Sequence, residues 1–211
     1  MADKKTIITI GREFGSGGHE IGATIAHDLG IKLYDKEMLK RAAKESGLCE
    51  DIFELHDEKP TYSFLYSLVM DHTSVATTGS GLPINHQIFL EQYNTIKKIA
   101  EEDSCVLIGR CADYALAEHP DAIHIFIYAD LEERVKRISR IYNITMASAK
   151  DIIKKNDKKR ASYYNYYTNK VWGDSKSYDL CLDSSKLGIG GTAKAIEDYV
   201  RLRQKIDKVK L

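Results

Sequence analysis

Hydrophobic positions along the chain follow two rhythms. Short β-branched blocks are nearly continuous: Ile7-Ile8-Thr9-Ile10, Cys105-Val106-Leu107-Ile108 and Ile123-His124-Ile125-Phe126-Ile127. Weaker blocks are Ile31-Lys32-Leu33-Tyr34 and Leu180-Cys181-Leu182. Runs of this length and continuity predict strands buried on both faces, as in parallel sheets. Between them apolar residues recur at helical spacing. The periods are Ile21/Ile25/Leu29, Ile88/Phe89 through Ile99/Ala100, Leu131/Val135/Ile138, and Ile196 with Tyr199/Val200. Asp130 followed by Glu133 predicts a capping box where the third of these helices starts. Strand and helix alternate, which predicts an α/β fold: a three-layer sandwich around a parallel, five-stranded sheet.

Two stretches break the rhythm. Residues 60–86 hold Pro60, Pro83 and the run Thr77-Thr78-Gly79-Ser80-Gly81, and read as a mobile insertion. Residues 145–177 begin helical and turn aromatic, with Ser162-Tyr163-Tyr164-Asn165-Tyr166-Tyr167 and then Trp172. Such a cluster can stack a base, but packing or a subunit interface is the preferred reading.

Composition narrows the picture. A chain of 211 residues buries enough surface to fold without disulfide or metal staples. The cysteines at 49, 105, 111 and 181 form no CxxC pair and no zinc-ligand spacing. Cys105 and Cys181 read as small buried hydrophobes. No run of 18 apolar residues predicts a membrane span, and MADKKTIITI lacks a cleavage pattern, so a cytoplasmic protein is expected. The 31 Lys+Arg balance 31 Asp+Glu, which argues against a nucleic-acid polymer as partner. The balance is uneven, however. Residues 134–160 hold ten basic against two acidic side chains, a surplus suited to closing over a few phosphates.

The first strand block runs into Gly11-Arg12-Glu13-Phe14-Gly15-Ser16-Gly17-Gly18-His19-Glu20-Ile21. A glycine-rich turn between strand and helix points backbone N–H groups into one concavity. The helix N-terminus adds unpaired donors and the positive end of its dipole. Phosphate binding by Gly15, Ser16, Gly17, Gly18, His19 and Glu20 is therefore preferred over a plain βα turn. The loop is an incomplete Walker A motif: Gly18 stands in the place of the lysine, and Glu20 falls where a Mg2+-binding hydroxyl is expected. Glu20 is the side-chain candidate for the metal. Arg12 or a later basic residue would supply the missing charge.

Further motifs follow in order: Tyr34-Asp35-Lys36-Glu37-Met38-Leu39-Lys40-Arg41, then Ile108-Gly109-Arg110-Cys111-Ala112-Asp113. After these come Ala129-Asp130-Leu131-Glu132-Glu133-Arg134, Asp157-Lys158-Lys159-Arg160, and Tyr178 through Ile189. With the glycine loop, this set resembles the cytidylate kinase-like family, a branch of the P-loop nucleoside monophosphate kinases. The resemblance spans nearly the whole chain except about 48–100. It implies a single P-loop NTPase-like domain over 1–211, with a variable insertion at about 48–100 and a helical lid at about 134–172. It implies ATP and Mg2+, phosphoryl transfer to a pyrimidine nucleoside monophosphate such as CMP or dCMP, small nucleotide partners, and room for homo-oligomers. Carried over by position, Asp35, Arg41 and Arg110 would bind the acceptor, with Asp113 two residues beyond the place of the family's aspartate. Arg134 and Arg160, with Asp157, would serve the transfer, Arg12 would stand in for the missing lysine, and Lys155 and Lys158 stand in reserve. Arg137, Arg140 and Lys159 read as a solvated basic face. The glycine at position 18 keeps a second reading open, a nucleotide-binding regulatory protein without catalysis. Cys111 departs from the family's Gly-Arg-Asp motif.

Overall fold

The computed structural model describes residues 5–35, 40–41, 44–45 and 84–209. Five strands form one parallel sheet: β1 (Ile7–Arg12), β2 (Lys32–Tyr34), β3 (Cys105–Ile108), β4 (Ala122–Tyr128) and β5 (Leu180–Asp183). Their order across the sheet is β2-β3-β1-β4-β5. β1 is central, with Ile10 opposite Ile108 on one side and Ile125 on the other. Ile7, Ile8 and Ile10 are fully buried, which is why the block is apolar without alternation.

Helices cover both faces. One layer holds α1 (Gly18–Leu29) and α6 (Ser184–Val209), whose Ile21, Ile25 and Ile196 meet Ile8, Ile10, Val106 and Ile125 of the sheet. The other holds α2 (Ile84–Glu102) and the short α3 (Ala112–Ala115), where Ile96 and Ile99 meet Ile7, Cys105 and Leu107. α4 (Leu131–Tyr142) and α5 (Met146–Thr168) pack on each other through Val135, Ile138, Ala149 and Ile153, with Phe14 against them.

Strand order fixes where a ligand can sit. The connection after β1 runs through α1 toward the β2 edge, and the one after β3 crosses to β4 on the far side of β1. Neighbouring strands whose connections leave in opposite directions open a crevice beyond their carboxyl ends, the usual binding place in open α/β sheets. Here that crevice lies between Arg12 and Gly109-Arg110.

Some expectations need correction. The end of the proposed insertion carries core: Ile96, Ile99 and Ala100 in α2 are fully buried. The proposed mobile stretch, as far as residue 83, lies outside the described residues, as does Cys49. Asp130 is the N-cap of α4 but makes no side-chain cap. Its carboxylate pairs instead with Lys186 at 2.7 Å, because the turn into α6 brings that lysine alongside. Cys105 is fully buried, and burial pushes its thiol up to about 12. Tyr163 and Tyr164 are buried against Phe89 and Cys111, with Phe89 stacked on Tyr167 at 4.1 Å. The aromatic run is therefore packing between α5 and α2. No helix among the described residues is long and apolar enough to cross a membrane.

Candidate functional site

The glycine loop sits where β1 hands over to α1. Gly15 and Gly17 adopt φ of +83° and +80°, a left-handed conformation that other residues adopt only under strain. Gly17 is the N-cap of α1, so no side chain caps the first turn. Helix geometry leaves its leading N–H groups without intrahelical acceptors. Ser184 Oγ donates to the Ser16 carbonyl at 2.6 Å and to the Tyr128 carbonyl at 3.1 Å, tying the loop to the start of α6 and the end of β4. Ser184 was invisible to motif reading, since nothing local marks a serine that acts 168 residues away.

Beside this loop lies a cleft of about 400 Å3. Gly15, Ser16, Arg134, Arg137, Gly188 and Ile189 are among its walls. Arg137 was expected to be solvated. It is instead largely buried here, 2.6 Å from Glu20, because α4 lies across the loop. Arg140 lines the same cleft. A phosphate-sized anion would meet backbone donors on one side and guanidinium groups on the other.

Arg134 is the hub between loop and helices. It is 8% exposed, and its Nη1 donates to Asp157 Oδ2 at 2.6 Å and to the Phe14 carbonyl at 3.3 Å. Its Nε donates to the Ala129 carbonyl at 3.1 Å and lies 3.3 Å from Glu13 Oε2. Asp157 Oδ1 also accepts from the Phe14 N–H at 2.7 Å. Burial pushes the Glu13 carboxyl up; the Ala129 N–H and Arg134 pull it part of the way back. Arg134 and Asp157 thus hold the two helices to the loop. Glu13, which sequence reasoning passed over as a loop residue, belongs to the same network. Arg160, one turn beyond Asp157, donates to the Arg12 carbonyl at 3.1 Å and lies 5.5 Å over the Phe14 ring.

The carboxyl end of β3 is shaped differently. Gly109, Arg110 and Cys111 all take positive φ, at 71°, 53° and 56°. Two successive non-glycine residues there cost roughly 1–2 kcal/mol each, the kind of strain that gathers at functional sites. The turn buries Arg110 to 6% exposure. Its Nη1 donates to Asp35 Oδ1 at 2.8 Å and to the Asp35 carbonyl at 3.0 Å. Burial alone would raise the Asp35 carboxyl. Arg110 outweighs it, with Arg12 and His19 adding, and the carboxyl lies below its ordinary value. His19 Nε2 is 3.5 Å from Asp35 Oδ2. Asp113 lies deeper, accepting from Tyr164 Oη at 2.6 Å, and burial pushes its carboxyl up.

The structure therefore brings Arg12, Arg110, Asp113 and Arg160 around one crevice, with Asp35 paired to Arg110 there, and Gly15 and Ser16 with Arg134 and Arg137 around the cleft beside it. Glu20 reaches that cleft through Arg137, whereas His19 leans toward Asp35. Arg41 does not join them. Its guanidinium forks onto Glu102 at 2.7 and 2.5 Å and reaches Glu45 at 2.8 Å. Glu102 precedes β3, so this pair sits at the amino end of the strand whose carboxyl end carries Arg110. The six-residue spacing from Asp35 aimed Arg41 at the crevice, and the stronger acidic pair captured it. Among the described residues no group of three or more His, Cys, Asp or Glu converges as a metal cage.

The model of the cytidylate kinase-like family matches residues 7–186. A cytidylate kinase of Methanopyrus kandleri is 25% identical over 196 residues, covering 88% of each chain. Among solved structures, an uncharacterized protein from Eubacterium ventriosum is 31% identical with a TM-score of 0.71, covering 93% of this chain and 99% of that one. A shikimate kinase from Bacteroides thetaiotaomicron shares the fold at 12% identity and a TM-score of 0.53, covering 93% and 98%.

Proposed function

The chain belongs to the cytidylate kinase-like family, and from that premise we propose that it transfers the γ-phosphoryl of ATP to a pyrimidine nucleoside monophosphate, CMP or dCMP first. The observation that carries this reading is the open cleft at the glycine loop lying beside the closed pocket of Arg12, Arg110 and Arg160 at the β1–β3 crevice. The loop Gly15–Glu20 would cradle the donor phosphates with backbone donors, and Arg137 would face them from α4. Arg110, preset by its strained turn and by Asp35, would hold the acceptor phosphate. Asp35 would face the acceptor sugar or base, with Asp113 beneath it. Arg160 and Arg12 would neutralise charge on the transferred group, and Arg134 with Asp157 would fix the two helices that serve as lid.

Little covalent chemistry is asked of the protein. Phosphoryl transfer is accelerated mainly by positioning and by charge stabilisation. Mg2+ bound with the nucleotide would offset charge on the phosphate oxygens, and Glu20, at the start of α1, is the carboxylate that would help to hold it. Cytoplasmic residence accords with these substrates.

The test is a coupled assay with ATP·Mg2+ and a panel of CMP, dCMP, UMP, AMP and small hydroxyl acids. Transfer to CMP or dCMP with the highest kcat/KM supports the reading. Tight ATP binding without transfer to any acceptor favours the second reading, a nucleotide-binding regulator, for which Gly18 in the lysine position is the specific motive. Transfer to a non-nucleotide acceptor alone would keep the kinase chemistry and overturn the acceptor.

A further inference from the structure

The position of the missing lysine is already occupied. Gly18 is the first residue of α1, and a Cβ built on it would lie 2.6 Å from Cβ and 2.9 Å from Cγ of Arg12. The Cβ is fixed by the β1 backbone and cannot swing away, and the Cγ moves only with a change of χ1 rotamer. The far end of the same side chain crosses to the neighbouring strand. A Cβ built on Gly109 would overlap Nη1 of Arg12, and Cζ would be 2.9 Å away. Arg12 therefore lies in a slot walled by two glycines, one on the donor loop and one beside Arg110.

We propose that Arg12 and Gly18 are a compensated exchange: the cation over the phosphate loop comes from the last residue of β1 instead of from α1, and it lies where donor and acceptor phosphates meet. A lysine on α1 would present a point charge to the donor alone. The Arg12 side chain runs from Gly18, which its stem touches, to Gly109, where its guanidinium lies, so its fork would reach both partners. Gly18 is then required by Arg12 and is no sign of lost catalysis. Gly109 is required for its φ of +71°, and the guanidinium rests on it. This inference rests on the phosphotransfer reading above.

Arg12→Gln keeps the stem and removes the charge. It is expected to lower kcat about 100-fold, the usual scale for losing one transition-state donor. By calorimetry it should weaken ATP·Mg2+ binding several-fold, with the nucleotide-free melting temperature within about 2 °C of the natural chain. Gly18→Lys, which reinstates the motif, is expected to lower activity, because the new side chain collides with the Arg12 stem. The exchange variant, Arg12→Gly with Gly18→Lys, makes room and should recover about tenfold over either Arg12→Gly or Gly18→Lys alone, a coupling expected only of residues in contact. The proposal falls if Arg12→Gln leaves both kcat and ATP affinity unchanged, if Gly18→Lys is more active than the natural chain, or if a folded exchange variant is no better than the singles. Should the natural chain bind ATP yet phosphorylate nothing on the panel, the phosphotransfer reading fails. Calorimetry on Arg12→Gln then still decides whether Arg12 serves the loop.

Discussion

The two halves of the crevice use opposite strategies. The proposed donor side is an open cleft of about 400 Å3 between the glycine loop and the arginines of α4. The proposed acceptor side encloses about 20 Å3, room for roughly one water, and two of its charged groups already hold partners. Arg110 is paired with Asp35 and Asp113 with Tyr164. An anion arriving on the proposed donor side meets the leading N–H groups of α1, beside an Arg137 paired with an exposed Glu20. An anion reaching Arg110 must displace the Asp35 carboxylate or part the walls. On the proposed reading, an open donor site beside a closed acceptor site suits a kinase that must not hand its phosphoryl group to water.

That contrast can be broken most sharply at Arg110. Arg110→Ala would leave Asp35 half-buried without its partner, and should cost about 3 kcal/mol as well as transfer activity. Urea denaturation and steady-state kinetics read the two losses separately. A variant as stable as the natural chain would show that the acceptor side is not held by this pair.

Arg134→Ala comes next. It strips Asp157 and Glu13 of their shared cation, and should cost about 2 kcal/mol and lower kcat about 100-fold, with a smaller change in KM for the acceptor. The same denaturation and rate measurements apply. A rise in acceptor KM alone would move Arg134 from the lid's anchor to the acceptor side.

Acid titration separates the two acceptor carboxylates. The folded-state value of Asp35 lies below its ordinary one, so its pairing contributes full stability above the ordinary carboxylate range. That contribution is lost as pH falls through the lowered value. Asp113 runs the other way. Its raised value means stability declines as pH climbs from the ordinary carboxylate value through the folded one. Melting temperature against pH should lose its acid-side drop in Asp35→Asn and become flatter above it in Asp113→Asn. Identical profiles in both variants would erase the distinction.

The smallest effect belongs to the donor rim. Arg137 pairs with an exposed Glu20, so Arg137→Ala should change stability by less than about 0.5 kcal/mol. It should still raise the KM for ATP several-fold, more so at low salt. A large stability loss would mean that the open cleft is as self-satisfied as its neighbour.

The sequence by itself determined much of this protein. Local periodicity marks every strand of the sheet and α1, α2, α4 and α6, because burial on one face or two writes itself into the nearest residues. The glycine loop was legible for the same reason, since strand, turn and helix are contiguous. Strand order was not, and strand order decides the site. Only the sheet places β3 beside β1, so that Arg110 meets an aspartate 75 residues earlier and Arg12 lies across Gly109. The same long-range competition drew Arg41 to Glu102 and Arg137 to Glu20, against what helical spacing suggested. Charges choose partners by distance in the folded state, and that distance is set by how the elements stack, which no local pattern contains.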